Sequence, residues 1–243
     1  MGDHAVGDCS VLVLELFVDA ALACWLMKTF SVRRFATVCL PLLALVVFCL
    51  RSDAQEKGEP GKFDFYLMNL AWGPEFCSVP GAGSECKAPR GFVLHGLWPQ
   101  NYDGSYPVNC GERSGPVRPE LNLDITPDLP LLEHEWIKHG TCTTMSPEDF
   151  FTLEHQAFHS VRIPEKLRDL KHEEPLRPKD ILHLFAKANP SFPQGSIVVS
   201  CQKERLTAVE VCLAKDGLLP ISCQGLHGCD AEAIQILPAL ARW

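Results

Sequence analysis

Six consecutive residues, His134-Glu135-Trp136-Ile137-Lys138-His139, gather two imidazoles, a carboxylate and an ammonium around a tryptophan. Ionisable groups crowded in this way are costly to hold together, and functional sites are where such crowding concentrates. On a helix turning about 100° per residue, the four polar side chains fall within an arc of about 140°. Trp136 and Ile137 then lie on the other side, where a core can take them. His134/Lys138 and Glu135/His139 are i,i+4 neighbours, so Glu135 is placed to orient His139 or to hold its charge. A third imidazole, His95, stands in "HGLWP". It follows an apolar run and precedes Gly96, and Trp98 offers a flat surface to a ring ligand.

Histidines titrate near neutral pH, so two of them across a phosphodiester can act as general base and general acid. A lysine stabilises the charge that gathers on the non-bridging oxygens. RNA carries its own nucleophile, the 2′-hydroxyl, so this equipment needs neither a metal nor a covalent intermediate. The product is a 2′,3′-cyclic phosphate, which water opens by the reverse roles. Two other readings compete. A zinc hydrolase needs His-Glu-x-x-His with both histidines on one face. Here three residues separate Glu135 from His139, and the two histidines point about 140° apart. The bland reading is an amphipathic helix with a charged solvent face, which two histidines, a lysine and a carboxylate in one arc make the weaker one. His155, His159, His172, His183 and His227 have no comparable context and read as surface or internally satisfied residues.

The elements that must position these groups are legible in outline. "FDFYLMNLAW" (63–72) reads as a buried strand, and "GFVLHGLWP" (91–99) as a strand that delivers His95 at a sheet edge. A helix starts near Pro130, carries the six-residue cluster and ends with Gly140 as its cap. Ser146-Pro147-Glu148-Asp149 begins a second helix, with Phe150, Phe151, Leu153, Ala157, Phe158 and Val161 at helical spacing. A third covers about 178–188, with Leu182, Phe185 and Ala186 inward. Residues 171–180 read as a solvated linker. Strands follow at 196–201 and 205–216; in the latter, Thr207, Val209, Val211 and Leu213 share a face, and 218–223 can pair back. Strands with segregated helices predict an α+β fold.

Residues 27–54 have a basic start (Lys28, Arg33, Arg34), an apolar stretch over 36–50 and a small-residue end before Gln55. That is the anatomy of a secretory signal peptide. The simplest account starts translation at Met27, makes 1–26 an upstream extension and leaves 55–243 as a single domain; an uncleaved membrane anchor is the alternative. Eight cysteines lie within that domain: Cys77, Cys86, Cys110, Cys142, Cys201, Cys212, Cys223 and Cys229. An even set behind an export signal predicts disulfides formed in an oxidising compartment, outside the cell or in the periplasm. The chain is acidic, net −8. A polyanion therefore has no long-range attraction to it, and a local positive cleft must do the holding.

At "FVLHGLWPQ" (92–100) and "HEWIKHGTC" (134–142) the sequence resembles the ribonuclease T2 family, with "NLAWGPEFC" and "GSYPVNCG" extending the likeness. The short connection between the two signatures looks more like that of bacterial members than of plant ones. The resemblance implies a disulfide-stapled α+β fold with a central antiparallel sheet and several helices. It implies an exported endoribonuclease, without cofactor, acting on single-stranded RNA; a monomer is expected. By position, His95 matches the family's general acid, His139 its general base and His134 its phosphate-binding histidine. Acid and base remain exchangeable on sequence alone. Glu135 and Lys138 match transition-state stabilisers. Trp98 and Tyr106 match base-stacking positions, and Gln100 stands where some members carry an acidic base contact. The family pairing implies Cys110–Cys142; Cys201–Cys229 and Cys212–Cys223 would staple the C-terminal hairpin, and Cys77–Cys86 closes a short loop. The rival of another class is a non-catalytic RNA-binding or effector protein that keeps the fold.

Overall fold

A computed structural model describes residues 58–79, 86, 91–111 and 118–239. The expected extension and signal peptide lie outside them. Among the described residues no helix is long and apolar enough to cross a membrane.

Strand β1 (Phe65–Trp72) runs into a one-turn helix α1 (Gly73–Phe76), followed by β2 (Phe92–Gln100). Helices α2 (Leu129–Lys138), α3 (Pro147–Ser160) and α4 (Glu165–Arg168) come next, then β3 (Glu174–Leu176) and α5 (Pro178–Ala188). Strands β4 (Ile197–Gln202), β5 (Arg205–Ala214) and β6 (Ile234–Ile236) close the order. The strands form one sheet in the order β2-β1-β5-β6-β3, with β4 also paired to β5. Its pairings are antiparallel except one: β5 meets β6 in parallel at Arg205 and Gln235, so the sheet is mixed.

Alternation along β1 sends Tyr66, Met68, Leu70 and Trp72 to one face, where they join Leu94, Leu97, Val209, Val211 and Leu213. Ala157 of α3 and Ile181 and Phe185 of α5 cover that face. The other face carries Phe65, Leu67 and Cys212, with Trp98 packed against them. A separate small core of Leu132, Trp136, Phe150 and Phe151 fixes α2 against α3. Disulfides join Cys77–Cys86, Cys110–Cys142, Cys201–Cys229 and Cys212–Cys223.

Several expectations are corrected. The 171–180 stretch holds β3, paired with β6. The β4–β5 register shifts at Ser200/Cys201, so Ala208 and Leu206 are paired in turn and Thr207 is the extra residue. Leu206, not Thr207, therefore belongs to the core. On α5 the buried pair is Ile181 and Phe185, one helical turn apart, while Ala186 is exposed. Residues 218–223 do pair back on β5 as expected, though not as a continuous strand: they do so through the Leu213–Pro220 bridge and the bonds from Ala214 N to Leu219 O and from Ile221 N to Cys212 O. Gly140 does not cap α2 with a left-handed turn: the helix ends at Lys138, with His139 at its cap position. The glycine is required by packing, because a Cβ at 140 would collide with the Trp136 ring.

Candidate active site

His95 owes its position to a bulge. β2 is an edge strand, and its pairing with β1 steps from Gly96–Asn69 directly to Leu94–Leu70, so His95 is the unpaired extra residue. A bulge re-aims the side chain it carries. Instead of another strand, the free edge of β2 meets a loop and a buried carboxyl. Leu94 N donates to Ile125 O, Thr126 Oγ1 donates to Leu94 O, and Leu97 N donates to Glu154 Oε1. Glu154 also accepts from Asn122 Nδ2 at 3.1 Å. Burial pushes its pKa up to about 8, and the neighbouring Glu135 adds to the effect. Sequence reasoning missed Glu154. The available signal was a carboxylate at i+4 from Phe150 and i+3 from Phe151, within the helix's apolar stripe.

Helix α2 presents the opposing wall. Asp128 caps its N-terminus by accepting from Leu131 N at 3.3 Å. At the other end Asn109 N donates to Lys138 O at 2.9 Å, and the Cys110–Cys142 bridge lies beside this contact, tying the chain after β2 to the helix end. The four polar residues do not make a solvent stripe: Glu135 and His139 are buried, Lys138 is half-buried and His134 is exposed.

The two elements meet at Glu135. Its Oε2 accepts from Trp98 Nε1 at 2.6 Å, and its Oε1 lies 3.6 Å from His95 Nε2. The carboxylate thus reaches across to β2, and its link to His139 is the backbone bond from His139 N to Glu135 O. Gly96 makes this approach possible, since a Cβ there would overlap the Glu135 carboxylate and crowd the Trp98 indole. The Trp98 ring lies between two imidazoles, edge-on to His95 at 5.5 Å and tilted against His139 at 5.4 Å.

Electrostatics follow from that packing. Burial pushes Glu135 up to about 7, opposed by the Trp98 hydrogen bond and by Lys138. Burial lowers His95 to about 4, with His134 and Lys138 acting in the same direction. Burial lowers His139 to about 3, assisted by the charges of Lys138, His134 and His95. His139 therefore feels Lys138, His134 and His95, while His95 feels His134 and Lys138. Cations that destabilise one another when empty-handed are relieved by an anion placed among them. His139 Nδ1 is buried with no hydrogen-bond partner among the described residues, so no bond at that nitrogen fixes the tautomer of the ring.

Of the remaining expected contacts, Trp98 is half-buried and Tyr106 exposed, whereas Gln100 is only 6% exposed at the end of β2. A further aromatic, Tyr102, is exposed and stacks on Phe65 at 5.3 Å.

The fold and the two segments that line this site point to one family of proteins. The chain belongs to the Ribonuclease T2 family, whose family model matches residues 63–223. It is similar to "Ribonuclease" of Aeromonas hydrophila, 46% identical over 104 residues that make up 42% of this chain and 48% of that one. The chain thus spans about half the length of that relative. It is also similar to "Ribonuclease DdI" of Dictyostelium discoideum, 29% identical over 81% of this chain and 97% of the relative. Among solved structures it shares the fold of an RNase-related protein from Calystegia sepium, with TM-score 0.60, 20% identity, and coverage of 72% of this chain and 97% of the other. RNase NT in complex with 5′-AMP gives TM-score 0.58 and 20% identity over 73% and 99% of the two chains.

Proposed function

We propose that the protein cleaves single-stranded RNA by attack of the 2′-hydroxyl, without a metal in the reaction. The observation that carries this reading is the convergence of His95, from the β2 bulge, with Glu135 and Trp98, and of Trp98 with His139. A phosphodiester seated among these groups meets imidazoles from two walls. His139 takes the 2′-OH proton, and the oxygen attacks phosphorus. The P–O5′ bond breaks as His95 delivers a proton to the departing oxygen. Lys138 and His134 hold the non-bridging oxygens as their charge grows. Glu135, fixed by Trp98, orients and balances His95. The cyclic phosphate is then opened by water with the proton roles reversed.

Trp98, Tyr106 and the neighbouring Tyr102 supply faces on which bases can stack, a sequence-tolerant mode of binding. With Gln100 buried, this reading gives stacking a larger share than edge recognition in holding a base. Four disulfides suit an exported protein in an oxidising compartment. The test is cleavage of single-stranded RNA in excess EDTA, beside a DNA of the same sequence. RNA is cut at an undiminished rate and DNA is not; loss of cleavage on chelation, or equal cutting of DNA, overturns the mechanism.

A further inference from the structure

On the exposed side of α3, and separate from the five residues assigned to the reaction, His155 and His159 stand one helical turn apart and face Asp124, from the turn that precedes α2. His155 Nε2 lies 3.2 Å from Asp124 Oδ2 and 3.3 Å from His159 Nε2. All three potential ligand atoms fall within 4.8 Å of one another.

A single ring nitrogen carries either a proton or a lone pair, never both. If His155 Nε2 donates to Asp124, it has no lone pair to offer His159. If it accepts from His159, its lone pair faces the carboxylate at 3.2 Å. A single proton on that nitrogen is therefore shared at best between two acceptors in a bifurcated bond, whereas a cation seated among the three takes a lone pair from each. The spacing fits as well. Four ligands bound tetrahedrally at about 2.0–2.1 Å sit about 3.3–3.4 Å apart, and two of the three edges have that length already. Imidazoles at i,i+4 can address one ion from one helix face, and two imidazoles with a carboxylate suit zinc and its neighbours rather than magnesium or calcium.

We propose that Asp124, His155 and His159 form a divalent transition-metal site of the zinc class, with water completing the coordination. Its place in the fold gives it a structural role. Asp124 directly precedes Ile125 and Thr126, which bond the edge of β2 at Leu94, and it lies four residues before the Asp128 cap of α2. An ion here staples onto α3 the segment that both backs His95 and launches the His134–His139 helix. The site supplies stability and takes no part in the phosphoryl transfer, so it stands or falls independently of the proposed reaction.

The intact chain is stripped with EDTA, dialysed free of it, and titrated with zinc chloride by calorimetry and by thermal melting. Because His95, His134 and His139 can also attract zinc, His139→Ala is measured beside His159→Ala and Asp124→Asn. The site predicts one saturable binding event that raises the melting temperature. It persists in H139A and weakens about tenfold or more in H159A and D124N. RNA cleavage by H159A stays at the parent rate. Both side chains substituted at the site, Asp124 and His159, are exposed, so folding is preserved there, and circular dichroism checks all three variants. Absence of binding by the parent, or an event that survives unchanged in H159A or is lost in H139A alone, overturns the proposal.

Discussion

The Glu135 carboxylate occupies the space that any side chain at position 96 would fill. One backbone atom of β2 without a Cβ thus lets a helix carboxylate reach both Trp98 and His95. Gly96→Ala should push Glu135 out of this contact. RNA cleavage is expected to fall about 10²-fold, an effect of misplacement rather than of lost chemistry. Steady-state rates check this, with circular dichroism confirming the fold; a rate within about threefold of the parent would show that the contact is dispensable.

Removing either proposed proton-transfer group should be more severe. His139→Ala and His95→Ala are each expected to lower kcat by about 10²–10⁴-fold. Cleavage near the parent rate by either variant would remove that residue from the mechanism.

Acid should favour turnover. Burial leaves His95 and His139 neutral at pH 7, with pKa values of about 4 and about 3, so the protonated acid is the scarce species. In the free protein, kcat/KM is expected to keep rising as the pH falls from 7 towards about 4, where the His95 acid becomes half-protonated. Stability moves the other way. With folded values below unfolded ones, the unfolded chain binds more protons, so stability contributed by these groups drains as the pH drops from about 6.5 towards 4. A kcat/KM maximum above pH 7 would contradict this electrostatic picture.

Glu135 has the opposite sign. Its pKa is raised from 4.5 to about 7, so the folded state holds the extra proton and stability falls as pH rises between those values. Glu135→Gln keeps an oxygen for the Trp98 N–H and removes the buried charge. It should flatten the stability profile across that window, gaining at most about 3 kcal/mol at pH 7, while cleavage drops. Denaturant melts at several pH values separate the two effects; a variant less stable than the parent at pH 7 would refute the burial cost.

The Cys110–Cys142 bridge joins the chain after β2 to the end of α2 across 32 residues. Replacing both cysteines with serine should cost about 2–5 kcal/mol of stability. Unchanged melting would show that the packing around Trp136 alone fixes the helix end.

Much of this was readable in the residues because its causes are local. Ser146-Pro147 starts α3 where capping chemistry says it should, and Trp136 and Ile137 sit opposite the polar cluster as helical periodicity requires. The unreadable parts depend on partners distant in sequence. Nothing near His95 announces a bulge, because the bulge exists only against the register of β1. β3 and β6, three residues each, are strands only because they pair with one another and with β5. Glu154 reads as a misplaced charge in an apolar stripe until Leu97 and Asn122 close around it. His155 and His159 read as ordinary surface residues until Asp124 folds over to meet them.

Attack by the substrate's own 2′-oxygen can be watched in a phosphorus NMR time course. It would follow a short RNA and the same RNA with one 2′-deoxynucleotide at the cleaved position, both in EDTA. A 2′,3′-cyclic phosphate is expected to appear first from the RNA, and the deoxy position is expected to stay intact. Cutting at the deoxy position, or linear phosphate ends formed without a cyclic precursor, would contradict it.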